Sequence, residues 1–518
     1  MIALPRISDY PAHFASVDPQ RQAIVHRERR WTGGAFAVEV ERWANALMAA
    51  GVKPGERVAM LVPPRPEFLF CFLATAMVGG IWVGLNPRYR IGELRHVMTD
   101  TSPALLIAQR EIDGRNYSGD LTALQTEFPA LRSVICLESL EQQQFLEQGQ
   151  KVSPSDFAGR RADVKSLDTC AIIFTSGSTG APKGAMLSHH GLVHGALIEH
   201  RHSPSNHPVV LCNQPVSNIA GLGISAGYGV VVGGTLVFQE HFDPGEVLAA
   251  IAKERVTHWI HSPVTFHFVV NHPDFATTDF SSLDYIIWGG AAMAESLVRS
   301  LTGTGAKLRT AFGMTELSND VTFTGEDASI EELTQTIGRP DPDYDLRIAD
   351  HEGRPVPTGE TGEIQARGDW IFRGYFNRPE STAEATTPDG WFRTGDLAVE
   401  RPDGNWQIVG RLKDVYKSGG YSIYPREIEI ALEAHPAVAL AAVIGVSDPV
   451  YGEVGHAFVQ NRQGSAPDEE MLKRWCHERM ANFKVPKRVT ILPELPRLAI
   501  GKVDKIALKQ MTSAPAEG

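Results

Sequence analysis

Apolar positions recur at helical spacing over residues 35 to 50, at Val38, Trp43, Ala44, Leu47 and Met48, and Gly51 stops the pattern. The short apolar run Arg57-Val58-Ala59-Met60-Leu61-Val62, closed by Pro63-Pro64, predicts a strand. Patterns then alternate: helical over 66–79, extended over 81–85, helical over 91–99 and extended over 104–108. Such alternation predicts layered α/β structure around largely parallel sheets. Residues 109–166 are more polar and less regular, and no site is read there. Near the far end, Pro425 opens a helix with Ile428 and Leu432 on one face, and short α and β pieces follow to about residue 510. The tail 511–518, rich in Ala, Pro, Ser and Gly, is expected to be disordered.

Length changes the picture first: 518 residues exceed one ordinary core, so at least two domains are expected. Hydrophobic content of 43% with 21% charged residues is that of a soluble globular protein. A net charge of −12 without a long basic run argues against nucleic acid as a partner. The start, Met1 to Arg6, lacks the apolar region of a signal peptide. The most apolar window, Phe68 to Leu85, is interrupted by Gly79, Gly80 and Gly84, and reads as a buried helix entering a strand rather than a transmembrane segment. Five scattered cysteines without C-x-x-C pairing fit reduced thiols in a cytoplasmic protein.

The chemistry concentrates in Ile172-Ile173-Phe174-Thr175-Ser176-Gly177-Ser178-Thr179-Gly180-Ala181-Pro182-Lys183-Gly184. A buried strand delivers a loop of small, hydroxylated residues whose backbone amides, four hydroxyls and Lys183 suit a polyphosphate. An ordinary P-loop needs Ser or Thr directly after its Lys, whereas Gly184 stands there. The run Gly221-Leu222-Gly223-Ile224-Ser225-Ala226, with Glu240 beyond Leu236-Val237-Phe238, fits the dinucleotide fingerprint in letters. Four residues, 217–220, separate those glycines from the preceding strand, where a tight turn should begin at once, so the fingerprint reads as a decoy. His258, His261, His267 and His272 match no common zinc spacing and read as ordinary core or surface histidines. In Thr310-Ala311-Phe312-Gly313-Met314-Thr315-Glu316 the Phe can stack on a purine, the Thr can bond an α-phosphate and the carboxylate can hold Mg²⁺.

The loop T-S-G-S-T-G-A-P-K-G resembles the phosphate-binding signature of the adenylate-forming superfamily, the acyl- and aryl-CoA synthetases, adenylation domains and luciferases. The Phe312 to Glu316 segment is similar to that family's aromatic-G-x-T-E motif, and 286–292 resembles its adenine-side turn. Asn86 to Leu94 resembles a further family segment between strand and helix, and Gly390 to Asp396 its ribose segment. Gly410 to Asp414 resembles the hinge region and Gly501-Lys502 the catalytic-lysine loop. Five of these motifs, in family order from Thr175 to Lys502, imply a fold class of α/β, with a large N-terminal domain of layered α/β subdomains, residues 1–411. A smaller mobile C-terminal α+β domain, 412–510, is implied to follow.

The resemblance further implies an ATP-dependent carboxylic acid–CoA ligase using Mg²⁺ with ATP, and CoA as co-substrate. Lys502, Thr315, Glu316 and Lys183 become the catalytic candidates, with Glu316 the metal ligand. The nucleotide would meet Thr175, Ser176, Gly177, Ser178, Thr179, Gly180 and Lys183 at the loop. It would also meet Gly290, Ala291 and Ala292, then Ala311, Phe312, Gly313, Met314 and Thr315, with Asp396 and Arg411 at the ribose and Lys502 from the small domain. Lys413 is the implied hinge, and Lys417, Ser418, Gly419 and Gly420 would admit the pantetheine thiol. Asn218, Gly223, His261, Trp288 and Met314 are the acyl-pocket candidates. Asn218 stands where the family carries a His or aromatic gate, and bulky Trp288 favours a compact acid. The partners implied are ATP, a carboxylic acid and CoA, and a homodimer is compatible. Alternatives are a free-standing adenylation enzyme loading a carrier-protein thiol, a luciferase-type oxygenase, a non-catalytic nucleotide sensor and, on the decoy alone, a dehydrogenase.

Overall fold

The computed structural model describes residues 2–175, 182–418, 421–462, 464–497 and 503–513. Two compact units emerge, residues 1–345 with 366–391, and residues 346–365 with 392–518. The boundary expected after Arg411 therefore falls inside the second unit, which also borrows an earlier segment of chain.

The first unit holds two large sheets. One has six strands in the order 183–188, 169–175, 81–85, 57–61, 105–108 and 133–136. All neighbours run parallel except the edge pair, Thr169–Thr175 with Lys183–Ser188. The expected alternation is present: helices Gly33–Ala49, Pro66–Met77 and Ile91–Thr101 interleave with strands Arg57–Leu61, Ile81–Leu85 and Leu105–Ala108. Helix Pro66–Met77 is buried along its whole length, with Pro66 at its start and the Phe68 and Phe72 rings against Trp82. Among the described residues no helix is long and apolar enough to cross a membrane. Residues 109–166 are more regular than expected, with helices Ser118–Glu127, Leu140–Gln148 and Pro154–Asp163.

The second sheet has nine strands, with a parallel centre formed by 235–238, 209–212, 258–261, 285–289 and 307–314. Strands 209–212, 235–238 and 285–289 are nearly continuous apolar runs because both faces are covered. One face packs Trp259, Phe266, Ile286, Trp288 and Val298 into a core cluster. The other carries Ile260, Tyr285 and Ile287 against Ile224 of a π-helix, Ala220–Gly227. That π-helix is what the dinucleotide-like glycines build. A side chain at Gly221 would come within 2.4 Å of the Pro215 carbonyl oxygen, so the glycine serves close packing rather than a phosphate turn. Glu240 is likewise structural, held by His26 Nε2 at 2.9 Å and Arg27 at 3.3 Å.

The second unit combines a four-stranded sheet (345–349, 361–367, 392–400, 406–411) with a five-stranded one (416–418, 421–423, 438–448, 452–461, 488–492). Helices Pro425–Glu433 and Glu469–His477 supply Ile428, Leu432, Leu472 and Cys476 to its core. The last helix, Lys505–Ser513, runs past residue 510, which corrects the expectation that order ends there.

Candidate active site

Strand Thr169–Thr175 leads into the phosphate-type loop and Lys183–Ser188 returns from it, with Thr175 directly opposite Lys183 in the antiparallel register. Gly184 pairs with Phe174, and a Cβ there would meet Ile172 Cγ2 at 2.7 Å, so only glycine lets the two stems close. His96 Nε2 bonds the Pro182 carbonyl at 2.9 Å and its ring meets Phe174 edge-on. Ser176, Gly177, Ser178, Thr179 and Gly180 lie outside the described residues.

Thr315 and Glu316 occupy a 3₁₀ turn at the carboxyl end of strand Lys307–Met314, closed by Ser318 at φ 62°. The structure brings Glu316 to the loop stem: Thr175 Oγ1 donates to Glu316 Oε1 at 3.1 Å. Tyr375 donates its hydroxyl to the same oxygen at 3.0 Å, while Phe372 N–H bonds the Glu316 carbonyl at 2.8 Å. Lys183 Nζ stands 5.3 Å from the Tyr375 ring centroid, within cation–π reach. Burial first, then the Glu316 charge and hydrogen bond, push the Tyr375 phenol well above its ordinary value, so it stays a donor. Tyr375 was missed by sequence reading. It reaches the site because 373–376 zips along the return strand: Arg373 N–H to Met186 O, Met186 N–H to Gly374 O, and Phe376 N–H to Gly184 O. The signal available was Gly374-Tyr375, a glycine at φ 107° ahead of an aromatic, following the strongest motifs at a distance.

Of the other nucleotide candidates, Gly290, Ala291 and Ala292 form an exposed turn after strand Tyr285–Gly289, with Gly290 at φ 78°. Ala311 is buried, whereas Phe312, Gly313 and Met314 are half-buried. In the second unit, Asp396 and Arg411 pair across neighbouring strands, Nε to Oδ1 at 2.7 Å. Lys413 sits in a 3₁₀ turn, Leu412–Asp414, its ammonium lowered by burial and then by Arg411, against the raising charges of Asp414 and Asp396. Lys417 is exposed and Ser418 buried, whereas Gly419, Gly420 and Lys502 lie outside the described residues.

The acyl candidates do not converge. In the parallel register His261 stands beside Trp288, and both side chains leave the sheet on the face where Trp259 and Phe266 pack. Trp288 is fully buried in that core. Half-buried His261, lowered to about 3 by burial, accepts from Ser262 N–H at 2.8 Å. Gly223 and, just ahead of the π-helix, Asn218 belong to the opposite side. Of the four sequence histidines, His258 is a satisfied core residue, bonded to Thr257, Tyr228 and the Ser203 carbonyl. No group of three metal-capable side chains occurs among the described residues.

The sequence profile described as AMP-binding enzyme matches residues 12–376, and that of the AMP-binding enzyme C-terminal domain matches 427–502. A feruloyl-CoA synthase from Amycolatopsis sp is 36% identical over 502 residues, covering 96% of this chain and 97% of that protein. An indoleacetate–CoA ligase from Aromatoleum aromaticum is 32% identical over 513 residues, covering 98% of each. The crystal structure of ATP-bound MatB from Rhodopseudomonas palustris superposes with a TM-score of 0.83 at 27% identity, covering 97% of this chain and 98% of that one.

Proposed function

The chain belongs to the AMP-binding enzyme family as an AMP-forming acid–CoA ligase, and from that premise we propose how its own residues divide the reaction. The observation that carries the assignment of roles is the meeting of Thr175 and Tyr375 on one oxygen of the Glu316 carboxylate, with Lys183 over the Tyr375 ring.

In the first half-reaction a substrate carboxylate oxygen attacks the α-phosphorus of ATP, and the bond to the bridging oxygen breaks to release pyrophosphate. Lys183 and the loop amides balance the leaving-group charge, and Thr315 bonds the α-phosphate as negative charge spreads over it. Lys502 steadies the attacking end. Glu316 fits a Mg²⁺ ligand: its buried carboxylate is a hard oxygen donor held in place by two hydroxyls, and Mg²⁺ is commonly held by one carboxylate plus substrate phosphates. Bound there, Mg²⁺ would withdraw charge from the phosphate oxygens. Phe312 and the 290–292 turn bracket the adenine, and Asp396 with Arg411 takes the ribose.

In the second half-reaction the C-terminal segment that follows Lys413 turns about that residue, withdrawing Lys502 and presenting Lys417 to Gly420. The CoA sulfur attacks the acyl carbonyl, the bond to the phosphate oxygen breaks, and AMP leaves with the thioester formed. The five cysteines are free and buried, which supports a reducing, cytoplasmic setting. Compact ring acids are the proposed substrate class, supported by the ferulate and indoleacetate named for the relatives.

The test is AMP formation from ATP over a panel of carboxylic acids, each with and without CoA, with products weighed. AMP and a thioester appearing only with CoA are expected for one acid class. Pyrophosphate exchange that CoA never converts to product would replace CoA with a carrier-protein thiol.

A further inference from the structure

Strands Lys307–Met314 and Asn319–Phe323 pair antiparallel, with Ala311 opposite Phe323, Phe312 opposite Thr322 and Gly313 opposite Asp320. Val321 is the extra residue, so a β-bulge interrupts the ladder there. Strict alternation back from Phe323 would send Asp320 to the Thr322 face. The bulge instead places it on the face of Gly313 and Ala311. Gly289 shares that face as register partner of Ala311. The geometry agrees: Asp320 Oδ1 lies 2.5 Å from where a Gly313 Cβ would stand, and 3.9 Å from the corresponding point on Gly289. One carboxyl thus rests on the bare backbones of two glycines at the carboxyl end of the sheet, where open α/β sheets bind ligands.

The cover on this face is unusual. The π-helix Ala220–Gly227 packs on strands His258–His261 and Asn319–Phe323, giving an apolar wall of Ile224, Ile260 and Ile287. Helix His189–His202 lies beside it and brings Glu199, with Gly195 one turn earlier pressed on the Asn319 side chain. Into this apolar setting the chain puts polar atoms without hydrogen-bond partners among the described residues: Glu199 Oε2, Arg309 Nε and Nη1, and Asn319 Nδ2. Their residues are between 1% and 4% exposed. Arg309 is the register partner of Ile287 and so shares the face. Buried polar atoms left unpaired cost about 1–3 kcal/mol each, so a cluster of them marks a place where water or a ligand completes the bonding. Burial raises both carboxyls above their ordinary range; at Glu199 the Asp320 charge adds to this and Arg309 opposes it.

We propose that Asp320, aimed by the Val321 bulge, is a specificity-determining residue that hydrogen-bonds an oxo or hydroxyl oxygen on the body of the acid substrate. The enzyme then selects oxygenated cyclic acids over their hydrocarbon counterparts. The inference rests on the acid–CoA ligase reading and deepens it.

Matched pairs test it: 4-hydroxycinnamate against cinnamate, and 3-(4-oxocyclohexyl)propanoate against 3-cyclohexylpropanoate. Each is followed as CoA-dependent AMP release by wild type, Asp320→Asn and Asp320→Leu. A site that bonds a substrate oxygen rejects the analogue lacking it strongly, and a preference of about 100-fold in kcat/KM is expected of the wild type for at least one pair. Asp320→Leu should bring that ratio within about threefold of unity, chiefly by losing the oxygenated acid, while Asp320→Asn keeps most of it. The KM for ATP should be unchanged in both. A structural role alone would slow both acids equally, so an unchanged ratio in Asp320→Leu overturns the proposal. A wild-type ratio near one for both pairs overturns it without any variant, which covers a Leu substitution that fails to fold. Failure of every acid to give a thioester strikes the ligase reading instead.

Discussion

Replacing Tyr375 by Phe removes one oxygen and leaves the ring, which isolates the hydrogen bond to Glu316 from the packing beneath Lys183. The bond is 3.0 Å long and its acceptor residue is 4% exposed, so water does not readily take the lost donor's place. A hydrogen bond to a charged group contributes about 1.5–3 kcal/mol, which converts to roughly 10- to 150-fold. Thr175 still donates to the same oxygen at 3.1 Å, so the loss should fall toward the lower half of that range. The ring's contact with Lys183 is worth about 0.5–1 kcal/mol and survives in Phe but not in Ala. Pyrophosphate exchange across a Mg²⁺ titration reads the effect on the first half-reaction. The expectation is a 10- to 50-fold fall in kcat/KM for ATP. The thermal shift produced by ATP with Mg²⁺ provides a readout free of turnover. Because Thr175→Val strips the same oxygen, the double variant should depart from additivity. If Tyr375→Phe stays within twofold of wild type in both assays while Tyr375→Ala is crippled, the hydroxyl is idle and the site is built differently.

Two further expectations concern the frame. Gly313→Ala puts a Cβ 2.3 Å from the Asn319 carbonyl oxygen and 2.6 Å from Asp320 Cα, both backbone, so about 3 kcal/mol should be lost from the urea midpoint stability; a wild-type midpoint would contradict the tight packing. Burial alone would raise the Glu240 carboxyl, but the His26 hydrogen bond and the Arg65 and Arg27 charges outweigh it and hold it at about 2. A depressed native value stabilises above the unfolded value of 4.5, and that contribution fades as pH falls from about 4.5 to about 2. Glu240→Gln should therefore cost about 2 kcal/mol at pH 7, after discounting for the exposed Arg27, and progressively less below pH 4. Melting curves that stay a constant distance apart from pH 7 to 2 would remove the ion-pair account.

The parts of this molecule that were legible in the sequence are those where composition alone constrains the backbone. Short apolar runs closed by Pro or Gly became parallel strands, and the segment Ile172 to Gly184 carried the resemblance to the family. What escaped reading depends on pairing that no local pattern encodes. Tyr375 acquires its role only because 373–376 hydrogen-bonds to a strand almost two hundred residues earlier in the chain. Residues 346–365 join the second unit through sheet pairing with 392–400, which linear segmentation after Arg411 could not reveal.

The acyl candidates show the limit most sharply, because a sheet has two faces and a sequence window does not say which one a residue serves. Trp288 and Ile287 are neighbours in the chain, yet the pleat sends the indole into the Trp259 core and the isoleucine toward the π-helix. One extra residue at Val321 then reverses the alternation for Asp320, so the residue placed beside Gly313 is the one that simple counting would have pointed away. The glycine run 221–226 fails in the complementary way, since its letters match a phosphate turn while its Cβ-free surfaces are filled by Pro215 and Ile219. Motif letters therefore carried the family, and with it the reaction. The face that each residue serves depends instead on register and bulge, properties of paired strands that exist only once the sheet has formed.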